Sequence, residues 1–303
     1  MTEFEKLLQQ PERCLQIAQE IAARHDLPAD IARIEEGSAL VFSLAGQMIL
    51  KIFAPEDKWF CLSETIFLSN FYRSLPIPRL IAHGMYGKSF YIVMEQLQGV
   101  QWSQVWDSLM EREQRSLICQ LGELVRAVHS RSPYPAAEFS PFKWDTIIEE
   151  QRTNLVDHHR AYGLEPLWLD QLVEYVESCP IDYHDPARLV PLHTELMPDH
   201  LFVQAQGSEW RLTGLIDFEP WMMGYAEYEF AAVGLFITQG NRDLFRLFLN
   251  SYGYQEIPAD LSRQIMVFLL LHRYSNLNWF LNLLPPDHGF TTLHQLEQYW
   301  YGI

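Results

Sequence analysis

The stretch "LHTELMPDHLFV", residues 192–203, sets His193, Glu195, Asp199 and His200 in one short loop ahead of the strand-like run "LFV". Further on, "GLIDFEP" forms a second apolar run that ends in a carboxylate, Asp217. An acid at the end of an apolar strand, facing a cleft, suits Mg²⁺, a hard cation that prefers oxygen ligands. The plainer alternative is an aspartate that only forms a turn. Glu195 is a carboxylate carried on a loop. There it can take a proton from a hydroxyl, as general base or as an orienting acceptor. His193, two positions earlier, is the second catalytic candidate of the loop. His200 stands where a second metal ligand could come from, although a lone histidine is as often structural.

A fourth group lies far upstream. Lys51 sits in "MILKIF", where strand alternation puts Ile49, Lys51 and Phe53 on one face. A shielded ammonium needs an anionic partner, because an unpaired buried charge costs several kcal/mol. Glu64 can supply it: Phe60, Glu64, Phe67 and Phe71 share a helical face, which sets this acid in an apolar stripe. Such a pair is suited to holding phosphates. The alternative is an edge lysine that reaches out to water.

These groups need a scaffold. Residues 4–24 have helical apolar spacing, broken at Pro11, and residues 1–28 form a leading helical segment. The run "IARIEEGSALVFSLAGQMILKIF" alternates as strands do, "DKWFCLSETIFLSNFYRSL" returns to a helical period, and "RLIAHGMYGKSFYIVMEQLQG" reads as a hairpin. Beyond Gly99 the chain is mainly helical, except for a hairpin, "LFVQAQGSEWRLTGLIDF", that turns at Gly207-Ser208. The expectation is an α+β chain of two lobes. A small antiparallel sheet with one helix occupies residues 1–97, and a larger helical lobe occupies 98–303. The site would lie in the cleft between them.

Charge and composition exclude some functions. The formal charge of −17 is divided as −3 over residues 1–97 and −14 over 98–303. Nucleic-acid phosphates would be repelled, whereas a cationic small molecule would be drawn to the second lobe. The four cysteines are scattered without metal-like spacing, as in a reduced, cytoplasmic protein. The N-terminus is acidic and amphipathic, unlike a signal peptide, and no run is long and apolar enough to span a bilayer. Two smaller features read as structural. "DHHR" (157–160) looks like a solvated helix face, and the tryptophans at 102, 106, 144 and 168 look like core.

The constellation resembles the aminoglycoside phosphotransferase and choline kinase family. "HTELMPDH" stands where that family has H-G-D-x-x-x-x-N, "IDFE" where it has I-D-F-G, and "GYAEYEFA" (224–231) where it has G-D-P-x-Y-D-L-A. "MILKIF", "PIPRLIAHG", "YIVMEQLQG" and "LGELVRAVHS" fall in the family's order and cover most of the chain. The resemblance implies a protein-kinase-like fold and phosphoryl transfer from ATP, or GTP, with Mg²⁺, or Mn²⁺. It implies that Lys51 holds the phosphates, that Glu64 fixes Lys51, and that Asp217 and His200 bind metal. It also implies that the connector around Glu95 and Leu97 meets adenine, and that the segment at Gly37 and Ser38 folds over the phosphates.

Glu195 and His200 replace the family's aspartate and asparagine, Thr194 and Glu219 each replace a glycine, and Tyr225 and Glu229 replace aspartates. Glu219, Glu227 and Glu229 are candidates for recognising ammonium groups of the acceptor. Two functions of different class are consistent with these departures. One is an ATP-dependent kinase acting on a hydroxyl of a small cationic molecule. The other is a kinase-fold protein that binds a nucleotide or ligand and transfers nothing.

Overall fold

The computed structural model describes residues 2–35, 39–132, 140, 142–286 and 289–303. Gly37 and Ser38 therefore lie outside the described residues.

The chain opens on α1 (Glu3–Leu8), held by a Thr2–Glu5 capping box, and α2 (Pro11–Arg24), with Pro11 in the first turn where its missing N–H costs nothing. Three antiparallel strands follow: β1 (Ile31–Ile34), β2 (Leu40–Leu44) and β3 (Met48–Phe53). Then come α3 (Lys58–Phe71) and the hairpin of β4 (Leu80–Tyr86) and β5 (Ser89–Glu95). The sheet order is β1-β2-β3-β5-β4, antiparallel throughout.

Alternation divides the two faces of this sheet. Leu50 and Ile52 point toward α2, into a core with Cys14, Ile17 and Ile21. Phe53 faces the opposite way, into the core that holds Phe67 and Leu68 of α3. The leading helices thus form a second cover on the sheet, in addition to the one expected helix.

The larger lobe begins with β6 (Val100–Gln101), α4 (Trp102–Val105), α5 (Glu111–His129), α6 (Trp144–Ala161), α7 (Pro166–Leu169) and α8 (Leu172–Glu177). Four short strands follow: β7 (Val190–Leu192), β8 (Leu201–Gln206), β9 (Glu209–Leu215) and β10 (Met222–Gly224). The chain then closes with α9 (Ala226–Ala232), α10 (Arg242–Tyr252), α11 (Leu261–Leu270), α12 (Leu277–Leu283) and α13 (Leu293–Tyr301). A π-helical turn, Val233–Ile237, extends α9.

β8 and β9 form the expected hairpin, with Gly207 at φ +65°, and β6 pairs on its free edge. β7 pairs antiparallel with β10, so the loop that follows β7 and the segment that runs from Asp217 into β10 lie at the same end. Trp102, Trp144 and Trp168 are buried in the core and Trp106 packs against it, in agreement with the reading from sequence. The four cysteines are free thiols. Among the described residues, no helix is long and apolar enough to cross a membrane.

Candidate active site

Lys51 lies on β3 with its ammonium inside the cleft. Nζ is 3.2 Å from Glu64 Oε2 on α3, 2.5 Å from Asp217 Oδ1 and 2.6 Å from Glu219 Oε2. The strand alternation and the helical stripe thus meet as the sequence indicated. Burial opposes the charge on Lys51, but the three carboxylates outweigh it and hold its pKa well above the ordinary lysine value. Glu64 is almost fully enclosed, and burial raises its pKa to about 7 against the pull of Lys51. At Asp217 the balance is reversed: burial is overcome by Lys51 and His200, and the pKa falls to about 2.

Two aromatic contacts fix this geometry. Phe218 stacks on Phe67 with ring centres 4.0 Å apart, and the Trp221 indole N–H donates to Ser63 O at 3.0 Å. Both tie the segment that carries Asp217 to the helix that carries Glu64.

The loop after β7 is strained. Thr194 has φ +74°, a left-handed region that β-branched residues seldom enter, and Asp217, of a type that enters it more readily, has φ +72°. The family's glycine at the position of Thr194 would adopt it freely. Here Thr194 is held by contacts on every side. Its N–H donates to Glu229 Oε1 at 2.9 Å, its carbonyl faces His272 Nε2 at 3.1 Å, and Arg273 donates to its hydroxyl at 3.0 Å. Strain of this kind, over-determined by its surroundings, is concentrated at functional sites.

His193 is fully buried, and its Nε2–H donates to Ile216 O at 2.7 Å. Its Nδ1 accepts the Glu195 N–H at 3.3 Å, and burial pushes its pKa down to about 4. The structure therefore corrects its catalytic assignment. With both nitrogens engaged by backbone, His193 is a positioning residue that couples the loop to the strand of Asp217.

Glu195 is held at its backbone, and its carboxylate opens onto a cavity of about 310 Å³. Burial, followed by the proximity of Asp217, raises its pKa above the usual glutamate value. His200 donates from Nδ1 to Glu195 O at 2.7 Å and turns Nε2 toward Asp217 Oδ2 at 3.4 Å. One ring thus links the backbone of Glu195 to the strand carboxylate.

The acids proposed for the acceptor do not act together. Glu229 is buried beneath Thr194, with its second oxygen 2.6 Å from His129 Nε2, so it cannot reach a ligand. Glu227 is paired with Arg188 at 3.1 Å, which satisfies its charge within the helical lobe. Glu219 belongs to the cluster around Lys51. Neither His129 nor Arg273 was marked by its own segment, because each is defined by partners distant in the chain.

In the connector, the N–H of Glu95 donates to Arg79 O and that of Gln96 to Gln47 O, both at 2.9 Å. Leu97 packs so closely on Gly214 that a Cβ there would lie 2.2 Å from its Cδ1. The absence of a side chain at residue 214 lets the connector rest on β9, just before Asp217.

Glu64, Asp217 and Glu219 bring carboxylate oxygens within 4.8 Å of one another. Three carboxylates around one ammonium leave an excess of negative charge that a hard cation would neutralise, so the residues fit such an ion. The imidazole of His200 is a softer donor, better suited to Mn²⁺ than to Mg²⁺.

A lysine–glutamate pair, a strand-end aspartate and a loop carboxylate meet in one interlobe cleft. The chain belongs to the phosphotransferase enzyme family, whose model matches residues 30–261. Solved structures agree in fold. Aminoglycoside 2'-phosphotransferase-IIIa in its GDP complex superposes with a TM-score of 0.66 at 16% identity, over 89% of this chain and 96% of that one. ADP-bound APH(2'')-Ib gives a TM-score of 0.62 at 14% identity, over 94% and 99%. Aminoglycoside-3'-phosphotransferase of type VIII gives 0.57 at 20% identity, over 85% and 98%. No curated protein matches the chain.

Proposed function

We propose that this small-molecule kinase transfers the γ-phosphoryl group of ATP to a hydroxyl of its acceptor. The observation that carries the reading is the convergence of Lys51, Asp217, His200 and Glu195 in one cleft, with His200 hydrogen-bonded at one end and facing Asp217 at the other. Phosphoryl transfer asks a protein mainly to position groups and to neutralise charge. Lys51 holds phosphate oxygens, and Glu64 keeps its ammonium aimed into the cleft. The connector at Glu95 and Leu97 lies against the base. Asp217 and Glu219 would hold Mg²⁺, with His200 as a further donor that also suits Mn²⁺. The ion's contribution is to neutralise phosphate charge.

Glu195 orients the acceptor hydroxyl and takes its proton as the new O–P bond forms. The bond from the γ-phosphorus to the bridging oxygen breaks, and ADP leaves with that electron pair. The raised pKa of Glu195 makes it a better proton acceptor than an exposed glutamate. GTP as donor is the second reading, supported by the GDP complex of 2'-phosphotransferase-IIIa. The non-transferring alternative is disfavoured because Lys51, Glu64, Asp217 and a loop carboxylate are all present.

The deciding experiment is acceptor-dependent ADP or GDP release by the full chain with Mg²⁺ and then Mn²⁺, with Asp217→Asn as control. Turnover lost in the variant supports the assignment. Equal turnover in a folded Asp217→Asn protein overturns it.

A further inference from the structure

The cavity in front of Glu195 has a chemistry of its own. Its walls are Ala231, Ala232, Phe236, Leu269, Trp279 and Phe280, contributed by α9, the π-helical turn, α11 and α12. Glu195 is the single acid among the described residues that line it. A guanidinium stands close by, since Arg273 is bonded to Thr194 and lies over the Tyr274 ring at 4.7 Å from its centre, and the acids beyond the lining, Asp217 and Glu219, are paired with Lys51. His272, also in the lining, is kept neutral, because burial pushes its pKa down to about 3. Trp279 and Tyr274 are nearly half exposed at the cavity, leaving two aromatic faces bare. Large apolar side chains left open to water in this way mark a binding surface.

Two of the acids expected to recognise ammonium groups are absent from this cavity. Glu229 and Glu227 are consumed by His129 and Arg188, and the nearby Asp217 and Glu219 are engaged by Lys51, so Glu195 is the acid left to face an acceptor in this cavity. A polycation placed here would exchange its hydration for aromatic walls and one carboxylate, with a guanidinium close by. That exchange is unfavourable.

From this geometry we infer that the acceptor is a hydroxyl compound with an apolar or aromatic body and at most one positive charge. The inference rests on the kinase reading for the role of Glu195, but it concerns what the cavity binds. At about 310 Å³ the space suits a small organic molecule, within the range of ordinary ligand pockets. The hydroxyl would point at Glu195, and the body would lie along Phe236, Trp279 and Phe280.

Binding and transfer are measured separately on the full chain. Naphthaleneethanol and chloramphenicol represent neutral aromatic alcohols, and kanamycin represents polycations. Calorimetric titration at low and high salt reads binding, and ADP release with Mg²⁺-ATP reads transfer. The aromatic alcohols are expected to bind with little salt dependence, because apolar contact is not screened. Trp279→Ala, at a nearly half-exposed position where folding is safe, should weaken them by about tenfold, the usual loss for one aromatic wall. Ala232→Phe, which adds a ring to the cavity lining, should weaken them at least as much.

Aromatic alcohols that bind in this manner but receive no phosphate would sink the kinase reading and leave the cavity assignment standing. Transfer to kanamycin alone, with a salt-dependent KM and no binding of the aromatic alcohols, would do the reverse. Failure of every compound to bind also overturns the assignment.

Discussion

Glu229 accepts the backbone N–H of Thr194 at 2.9 Å while its other oxygen accepts from His129 at 2.6 Å. One buried carboxylate therefore pins a left-handed residue of the site loop to the long helix α5, 100 positions away in the case of His129. Removing it would leave the Thr194 amide and His129 Nε2 without their acceptor. Glu229→Ala should lower stability by about 3 kcal/mol, as for other broken buried pairs, and reduce turnover with it. Glu229→Gln, which keeps an oxygen for Thr194, should lose clearly less. Urea unfolding of the three proteins is the check, and indistinguishable midpoints would remove the clamp.

Lys51 stands among three carboxylates, and its charge is what makes their proximity tolerable. Lys51→Met should lower the melting temperature in metal-free buffer and weaken nucleotide binding. Added Mg²⁺ should recover more stability in that variant than in the parent, because the ion replaces the missing charge. Asp217→Asn should blunt the response. Melting curves unaffected by Mg²⁺ in all three proteins would exclude an ion from this cluster.

The carboxylate of Glu195 is one methylene longer than the family's aspartate, and the loop that carries it is held in part by the Thr194 hydroxyl, whose bonds with Arg273 and Pro220 O a glycine could not make. Glu195→Asp should therefore not restore the family's geometry. It should retract the acceptor group by roughly 1 Å and cost on the order of 100-fold in kcat. Glu195→Gln, which cannot take the proton, should cost about 10²–10⁴-fold while ATP binding is unchanged. Steady-state kinetics beside equilibrium ATP titration separates the two effects. An unaltered kcat in the glutamine variant removes Glu195 from the chemistry.

What could be read from sequence followed local periodicity. Period two placed Lys51 on the inner face of β3, the helical stripe placed Glu64 opposite it, and the structure brings them to 3.2 Å. The hairpin and its turn were equally plain, because the turn needs Gly207 at positive φ. Pairings between distant segments were not readable. Nothing near Glu227 names Arg188 as its partner, and nothing in "GYAEYEFA" directs Glu229 beneath Thr194. The family pattern marked the position of Glu229 as acidic without saying whether the acid faces ligand or loop. Trp279 went unnoticed because it sits on the exposed face of α12, where periodicity carries no signal. The "DHHR" segment is a solvated face only in part. Asp157 and Arg160 are exposed, but His159 is fully buried, because α6 turns that position toward the carbonyl end of α11.

His159 gives the stability a pH dependence. Its Nε2–H donates to Leu270 O at 3.2 Å, its Nδ1 accepts the Leu277 N–H at 3.4 Å, and burial lowers its pKa to about 4. In the unfolded chain the same ring titrates near 6.5. Between these values a proton binds the unfolded chain and not the folded one, so stability falls as pH drops from 6.5 toward 4. From pH 7 to pH 5 this single group should cost about 2 kcal/mol. His193 and His272 are shifted the same way, so the parent protein alone cannot isolate the effect. Comparison with His159→Gln can. The variant should be less stable than the parent at pH 7, having lost the buried hydrogen bonds. That deficit should shrink by about 2 kcal/mol at pH 5, where only the parent suffers the unfolded-state protonation of His159. A deficit that is the same at both values would mean that His159 titrates alike in the folded and unfolded chain.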